Sequence, residues 1–400
     1  MTILANRVGL ITAAAFVMLA TIFGAVTPAV ADAQDVPPVA TSVTAFVGVA
    51  GAPSQPFIKA GYLLSNYGDF LRAYPSAPQQ MVDSVAGFFT TGGNGMSIYP
   101  SASSSAEDLI AAIETTSVPV NGQQPANLLV VPALSQLDGP DYYNVATEMD
   151  VKASALPAVA LLDLPQKVVT NAMATGETVE PLAVSNMLSK TLPTPAVAAL
   201  YTSPLIDPNF GHVVPAAGPV AGDFAANDVS WGVWNSPSGA ALTMAGYVAQ
   251  WLPTYSELGT MAGTGLNSFH QLATSSGDLL WGSRTLDLWD PLSRYISEVR
   301  LKQYVASSVA RGLQWTVFNP SGPQLWSDIN NELTPFLTQL SRQGAFGQGL
   351  TGPSFVVTVN KYNNTRADIA AGIVHVDIAY QSLAVPAYVP VNLTARSSTR

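Results

Sequence analysis

The stretch Leu156–Pro165, LPAVALLDLP, is apolar almost without a break and ends on a single acid, Asp163. It has the length of a strand, and it lacks the alternation of a strand wetted on one face. Such a run belongs in a sheet covered on both sides. ANLLVVPALS (126–135) is a second run of this kind, and AVAALYTSPLIDP (196–208) repeats the idea. Helical stretches separate them, so the class is α/β, mixed with α+β toward the C-terminus. Asp163, closing its strand, reads as a cap or turn residue.

The pattern extends toward the N-terminus. TSVTAFVGVA (41–50) reads as a buried strand. Met81, Val82, Val85, Phe88 and Phe89 fall at helical spacing, and Gly92 with Gly93 stops that helix. MSIYP (96–100) reads as a strand. SAEDLIAAIE (105–114) reads as a helix with Ser105 at the N-cap and Asp108 in its first turn. Toward the C-terminus, residues 212–240 are rich in Pro and Gly and read as a structured loop region, with helical content in VAGDFAANDVS.

From Gly282 onward the texture changes. RTLDLWDPLSRYISEVRLKQYV (284–305) holds seven charged residues, in a chain with only 10% charge. Asp290-Pro291 reads as a helix start with Pro at its first position, which makes one charged helix to Val305. In such a helix Arg294–Glu298 and Glu298–Lys302 stand at i,i+4 spacing. Tyr304, Val305, Val309 and Leu313 share a helical face, and QWTVFN (314–319) alternates like a strand. Leu325, Trp326, Ile329, Leu333, Phe336, Leu337 and Leu340 form an apolar helical stripe, with Pro335 inside it as an expected kink or break. SFVVTVN (354–360) and GIVHVDIAY (372–380) read as closing strands, and LAVPAYVPVNLT (383–394) as an extended tail. The expected segments are 1–31, 32–105, 106–282 and 283–400.

Composition excludes several functions. With 16 basic against 26 acidic side chains there is no basic stripe for nucleic acid. No cysteine is present, so thiol chemistry, Cys-ligated zinc and disulfides are excluded. Low charge leaves a weakly hydrated surface that suits packing against copies of itself and that a secreted chain also tolerates. At the N-terminus, Arg7 precedes an apolar run from Val8 to Val26 and the small-x-small site Ala29-Val30-Ala31. That is the pattern of a secretory signal peptide cut after Ala31, or of a membrane anchor if uncut. Any membrane contact is expected only there.

No catalytic, cofactor or metal site emerges. His375 sits on one face of a strand, with Asp377 as its only conceivable metal partner. His270 reads as a polar helix position, and His212 is uninformative. No G-x-S-x-G elbow occurs, and TGGNG (91–95) lacks the lysine of a phosphate loop. A secreted hydrolase would have to draw on Asp163, Asp223 or Asp228 as its acids.

In this setting the chain resembles the tail sheath proteins of contractile bacteriophages and contractile injection systems, over about residues 41–394. The markers, in order, are TSVTAFVGVAG, FFTTGGNG, LLVVPALS, ALLDLP, VPAAGPVAGDFAANDVSWGVWNSPSG, SRTLDLWDPLSRYISEVRLKQYVASSVARGLQWTVFNP, LW at 325–326, QGAF and SFVVTVNKYNN. The resemblance implies a sheath-type fold: a central strand/helix-alternating domain and a C-terminal α+β domain ending in an extended strand. It implies a non-enzymatic structural subunit, in hexameric rings around a tail tube protein, that contracts by re-packing. Neighbours would exchange terminal strands, with VPAYVPVNLT as the donated one. The Leu325–Leu340 helix would face the tube. Arg284, Arg294, Glu298, Arg300, Trp326, Ile329, Leu333 and Leu337 are the expected assembly or tube-facing residues. It also favours RYISEV as a strand, with the helix beginning near Arg300. The location implied is a virion tail or the host cytoplasm. The N-terminal segment points instead to export, and to an alternative in which an envelope protein keeps this fold without forming a contractile tube.

Overall fold

A computed structural model describes residues 36–116, 125–239, 243–272 and 277–398. The signal-like segment, with Arg7 and Ala31, lies outside the described residues. The described chain forms one compact unit from Val36 onward.

The apolar runs build one sheet. In chain order its first part comprises β1 (Thr44–Gly48), β2 (Leu63–Leu64), α1 (Tyr67–Ala73), α2 (Gln79–Thr91), β3 (Met96–Pro100), α3 (Ala106–Glu114) and β4 (Leu128–Val130). There follow α4 (Gly139–Ala155), β5 (Val159–Asp163), α5 (Gln166–Thr175), α6 (Val179–Thr191) and β6 (Ala198–Tyr201). Next come β7 (Leu205–Ile206), β8 (Val213–Val214), α7 (Ala217–Trp231), β9 (Val248–Ala249), α8 (Tyr255–Gly263), β10 (Leu266–His270) and β11 (Leu279–Trp281). The order across the sheet is β11-β10-β6-β5-β4-β1-β3-β2, parallel except at its two ends, where β2 and β11 pair antiparallel. Strand order reverses at β1. Right-handed crossovers therefore put α2 on one face and α3 with α4 on the other. Every residue of β5 is buried, as the continuous run requires. The sequence boundary at 105/106 falls inside this sheet.

Local signals explain several ends. Ser105 caps α3 by accepting from the Asp108 amide (3.3 Å). Gly92 closes α2 at φ 123°, a backbone that favours glycine. The helical content expected in VAGDFAANDVS is the fifteen-residue helix α7, which takes up half of the segment 212–240. Its glycines are packing positions: a Cβ on Gly222 would come within 2.0 Å of the Phe88 carbonyl oxygen, so α2 and α7 approach backbone to backbone.

The rest of the chain forms a second layer. It comprises α9 (Ile296–Gly312), α10 (Pro323–Arg342), β12 (Phe355–Thr358), α11 (Arg366–Ala370), β13 (Ile373–Gln381) and β14 (Tyr388–Arg396). The last three strands form an antiparallel sheet in the order β12-β13-β14. A second hydrophobic core fills the space between this sheet and helices α9 and α10. Its members include Leu301, Val305, Ile329, Leu333, Val376 and Tyr380, whereas Ile296 and Val299 at the start of α9 belong to the first core. Helix α9 thus bridges the two cores.

Candidate assembly surface

The charged stretch 284–305 is neither one helix from Pro291 nor a strand followed by a helix. Residues 284–295 form a bridged loop, in which Arg284 and Tyr295 pair antiparallel. Helix α9 begins at Ile296, so RYISEV is not a strand. Asp290 does not cap the helix; its carboxylate accepts from the Leu292 amide (2.9 Å), a side-chain turn that keeps the chain from coiling there. The i,i+4 pairs with Glu298 do not form, because Glu298 is buried and faces the C-terminal hairpin instead. Its Oε1 accepts from the Ser382 hydroxyl (2.8 Å) and from the amides of Leu383 (2.8 Å) and Ala384 (2.9 Å). Glu298 therefore pins the β13–β14 turn to the first turn of α9.

Arg300 is 3% exposed. Its guanidinium donates to both carboxylate oxygens of Asp228 on α7 (2.8 and 2.6 Å) and to the Thr41 carbonyl (2.8 Å). It also lies over the Phe224 ring, 5.1 Å from the centroid. This fork-to-fork pair ties the C-terminal layer to the first core. Arg284 stacks on Tyr295 at 5.1 Å, and Arg294 donates to the Leu288 carbonyl (2.9 Å), so both shape the loop ahead of α9. Lys302 alone of the group on α9 points to solvent.

Behind Arg300 lies a group of buried acids. Asp163 ends β5, and its Oδ1 accepts from the Ala217 amide (3.1 Å), capping α7 as its strand-end position suggested. Burial raises its pKa to about 7, against the opposing pull of that amide. Burial raises Asp223 to about 8. Tyr201 is pushed well up by burial and by the Asp223 carboxylate nearby. Among the described residues only Asp228 of the three acids pairs with Arg300, and Asp223, without a cationic partner there, is predominantly neutral at pH 7. Asp163, Asp223 and Asp228 are the acids a hydrolase would need, and all three are enclosed, with Asp228 committed to Arg300.

The apolar stripe is core. Ile329, Leu333 and Leu337 are fully buried in the subunit, with Leu325, Trp326 and Leu340 nearly so. The side chains expected to face a tube therefore point inward, onto β12–β14. The outer face of α10 presents Gln324, Ser327, Asn331, Thr334, Pro335 and Gln339. Pro335 does not split the helix, because it sits on that wetted face, where water can satisfy the carbonyl it leaves free. QWTVFN is a 3-10 turn, not a strand. Leu313 and Thr316, three apart, are its buried positions, and the Thr316 hydroxyl donates to the Arg396 carbonyl (2.6 Å).

The tail is strand β14, and within this chain it pairs with its own β13 along nine residues, from Ile373↔Arg396 to Gln381↔Tyr388. Its end is fixed further by the Ser398 amide on the Asn319 carbonyl (2.9 Å). Of the histidines, His375 lies in strand β13 as expected, and only His270 departs from its reading. His270 lies in β10, its ring 5.0 Å from that of Trp281. His375 approaches Asp368 (3.4 Å) while Asp377 accepts from Asn363 (2.9 Å), so the two are not a metal pair. Among the described residues no cluster of three or more metal-ligating side chains occurs, and no helix is long and apolar enough to cross a membrane. Sequence reasoning missed the Arg300–Asp228 and Glu298–hairpin links. Their partners lie 72 and 84 or more positions away, and no local pattern carries them.

No protein-family model matches the chain. A curated protein of Pseudomonas aeruginosa (strain UCBPP-PA14), described as a putative prophage major tail sheath protein, is 27% identical over 240 residues, 59% of this chain and 57% of that one. The match thus spans little more than half of that relative. Among solved structures, the helical sheath of the anti-feeding prophage in its contracted state superposes with a TM-score of 0.67 at 20% identity, covering 89% of this chain and 94% of that one. The contracted PVC sheath complex of an extracellular contractile injection system gives 0.66 at 21%, covering 88% and 90%. The sheath tail protein of Listeria innocua gives 0.60 at 9%, covering 90% and 96%. The chain has the mixed α/β fold of these sheath proteins.

Proposed function

We propose that the chain is a structural subunit of a contractile tail sheath-like assembly. Copies ring an inner tube, six to a ring, stack along it, and contract by re-packing against one another without catalysis. The observation that carries this reading is agreement in fold with sheath subunits over nearly the whole described chain, two of them from contracted sheaths. The bonding inside the subunit supports it. A part that is moved as a rigid body during re-packing needs internal ties stronger than its contacts with neighbours, and the Arg300–Asp228 and Glu298 links join the two cores in that way. In this reading Glu298, Arg300 and the α10 stripe of Trp326, Ile329, Leu333 and Leu337 act in assembly by holding the subunit together. Arg284 and Arg294 act by shaping the loop before α9. The polar outer face of α10 is the surface offered to a tube. The buried state of Asp163, Asp223 and Asp228 favours a non-enzymatic role. The location that follows is a virion tail or the host cytoplasm.

Electron microscopy of the purified chain tests the proposal. Rings or tubes support it, and a monomer at high concentration, with or without a tube protein, would overturn it. A second reading has a specific motive in the apolar run 8–26 and Ala29-Val30-Ala31. There the same fold serves at the cell envelope, exported or anchored, without a contractile tube. Mass spectrometry of the mature N-terminus separates the two, since a start at Asp32 favours the second.

A further inference from the structure

Helix α9 carries, at each of its ends, a feature that the single subunit leaves unused. Ahead of its N-terminus, the loop 286–294 displays Trp289, 78% exposed, beside the exposed carboxylate of Asp290. The loop is held stiffly. Asp287 accepts from the amides of Trp289 (3.1 Å) and Asp290 (3.2 Å) and from the Ser293 hydroxyl (2.5 Å). The Thr285 hydroxyl donates to the Ser293 carbonyl (2.7 Å), and Arg294 grips Leu288 from the other side. A large aromatic presented on a frame already ordered loses little entropy when it docks. Indole is also the side chain most often found at the centre of protein contacts.

Beyond the C-terminus of α9 is a slot of about 290 Å³, lined by Ala310, Leu313, Gln314, Val317, Leu393 and Arg396. Phe318, 83% exposed, stands next to it in the chain. Arg396 has no ion-pair partner among the described residues. The knob is aromatic with an acid beside it; the slot is apolar with a base in its wall. The seventeen residues of α9 hold the two about 25 Å apart. They therefore cannot meet within one chain.

We infer that Trp289 of one copy enters this slot on a second copy, with Asp290 against Arg396, so that copies join head to tail along α9. Such a contact is heterologous: every copy offers both halves, and the series continues until it closes on itself or grows as a helix. The inference rests on the sheath reading only for the presence of neighbouring copies.

The chain has no cysteine, which makes the contact open to direct trapping. Asp290→Cys and Arg396→Cys, introduced together into the full chain and oxidised with diamide, are expected to give a ladder of disulfide-linked dimers, trimers and longer species. The span between the two positions forbids a disulfide within one chain. Either substitution alone places no second thiol at the contact and is expected to leave the chain monomeric on a non-reducing gel. Trp289→Ala in the double-cysteine chain is expected to slow the ladder at least tenfold; the residue is exposed, so the fold is retained. The absence of a ladder, or a ladder indifferent to Trp289→Ala, overturns the inference. Electron microscopy of the unsubstituted chain separates this result from the sheath reading. Tubes without a ladder keep the sheath and discard this contact, and a ladder without rings or tubes keeps the contact and discards the sheath.

Discussion

Asp223→Asn should stabilise the protein at pH 8 and flatten the pH dependence of its stability. Asp223 is 1% exposed, and neither carboxylate oxygen has a hydrogen-bond partner among the described residues. Burial raises its pKa from an ordinary 3.8 to about 8. In the unfolded chain the group is ionised above pH 4; in the folded chain it holds its proton until about pH 8. The folded state therefore binds one more proton across that window, and stability falls as pH rises through it. Its contribution is fully present below pH 3.8 and is lost by about pH 8. The slope is about 1.4 kcal/mol per pH unit, or on the order of 5 kcal/mol over the window. Asn matches the shape of the protonated acid and does not titrate. Asp163, raised to about 7, adds a second sloping component that ends one unit lower, and Asp150, raised to about 6, adds a third. Between pH 7 and pH 8 Asp223 therefore supplies the larger part of the slope, with a smaller share from the end of the Asp163 titration. Urea unfolding followed by fluorescence of the seven tryptophans, at pH 5, 6, 7 and 8, measures the effect. A slope between pH 7 and 8 that is the same in Asp223→Asn and the parent chain would refute the reasoning, because the proton would then be held elsewhere.

Three further perturbations probe the packing. Leu333→Ala removes a fully buried side chain from the second core and should cost about 2–5 kcal/mol in urea unfolding, whereas Thr334→Ala on the outer face of α10 should cost little. Gly222→Ala places a methyl against the Phe88 carbonyl, so α2 and α7 must separate. A loss of about 1–3 kcal/mol is expected, and a midpoint equal to that of the parent would show that the helices can slide. Glu298→Ala frees the Ser382 hydroxyl and the amides of Leu383 and Ala384; their hydrogen exchange should accelerate well before that of β13. Unchanged exchange at the two amides would mean that the turn is held by its own bonds.

The sequence alone determined the layered architecture. Runs such as LPAVALLDLP can lie only where both faces of a sheet are covered, and the stripe from Leu325 to Leu340 can be only one side of a helix. Capping by Ser105 and the stop at Gly92 were legible too, because each depends on neighbours within a few residues. What depended on partners far along the chain was not. QWTVFN alternates like a strand, yet β14 is already paired with β13 and packs against this segment, so it coils into a 3-10 turn. The helical content of VAGDFAANDVS was legible, but not that its Gly222 lets α7 lie against the backbone of α2. RYISEV carries charges that suited a strand or an exposed helix. Only the fold, by bringing Asp228 and the Ser382–Ala384 turn to them, made Arg300 and Glu298 buried ties between two cores. A buried charge is stable only where its partner is already waiting, and the position of a partner seventy or more residues away is a property of the tertiary structure.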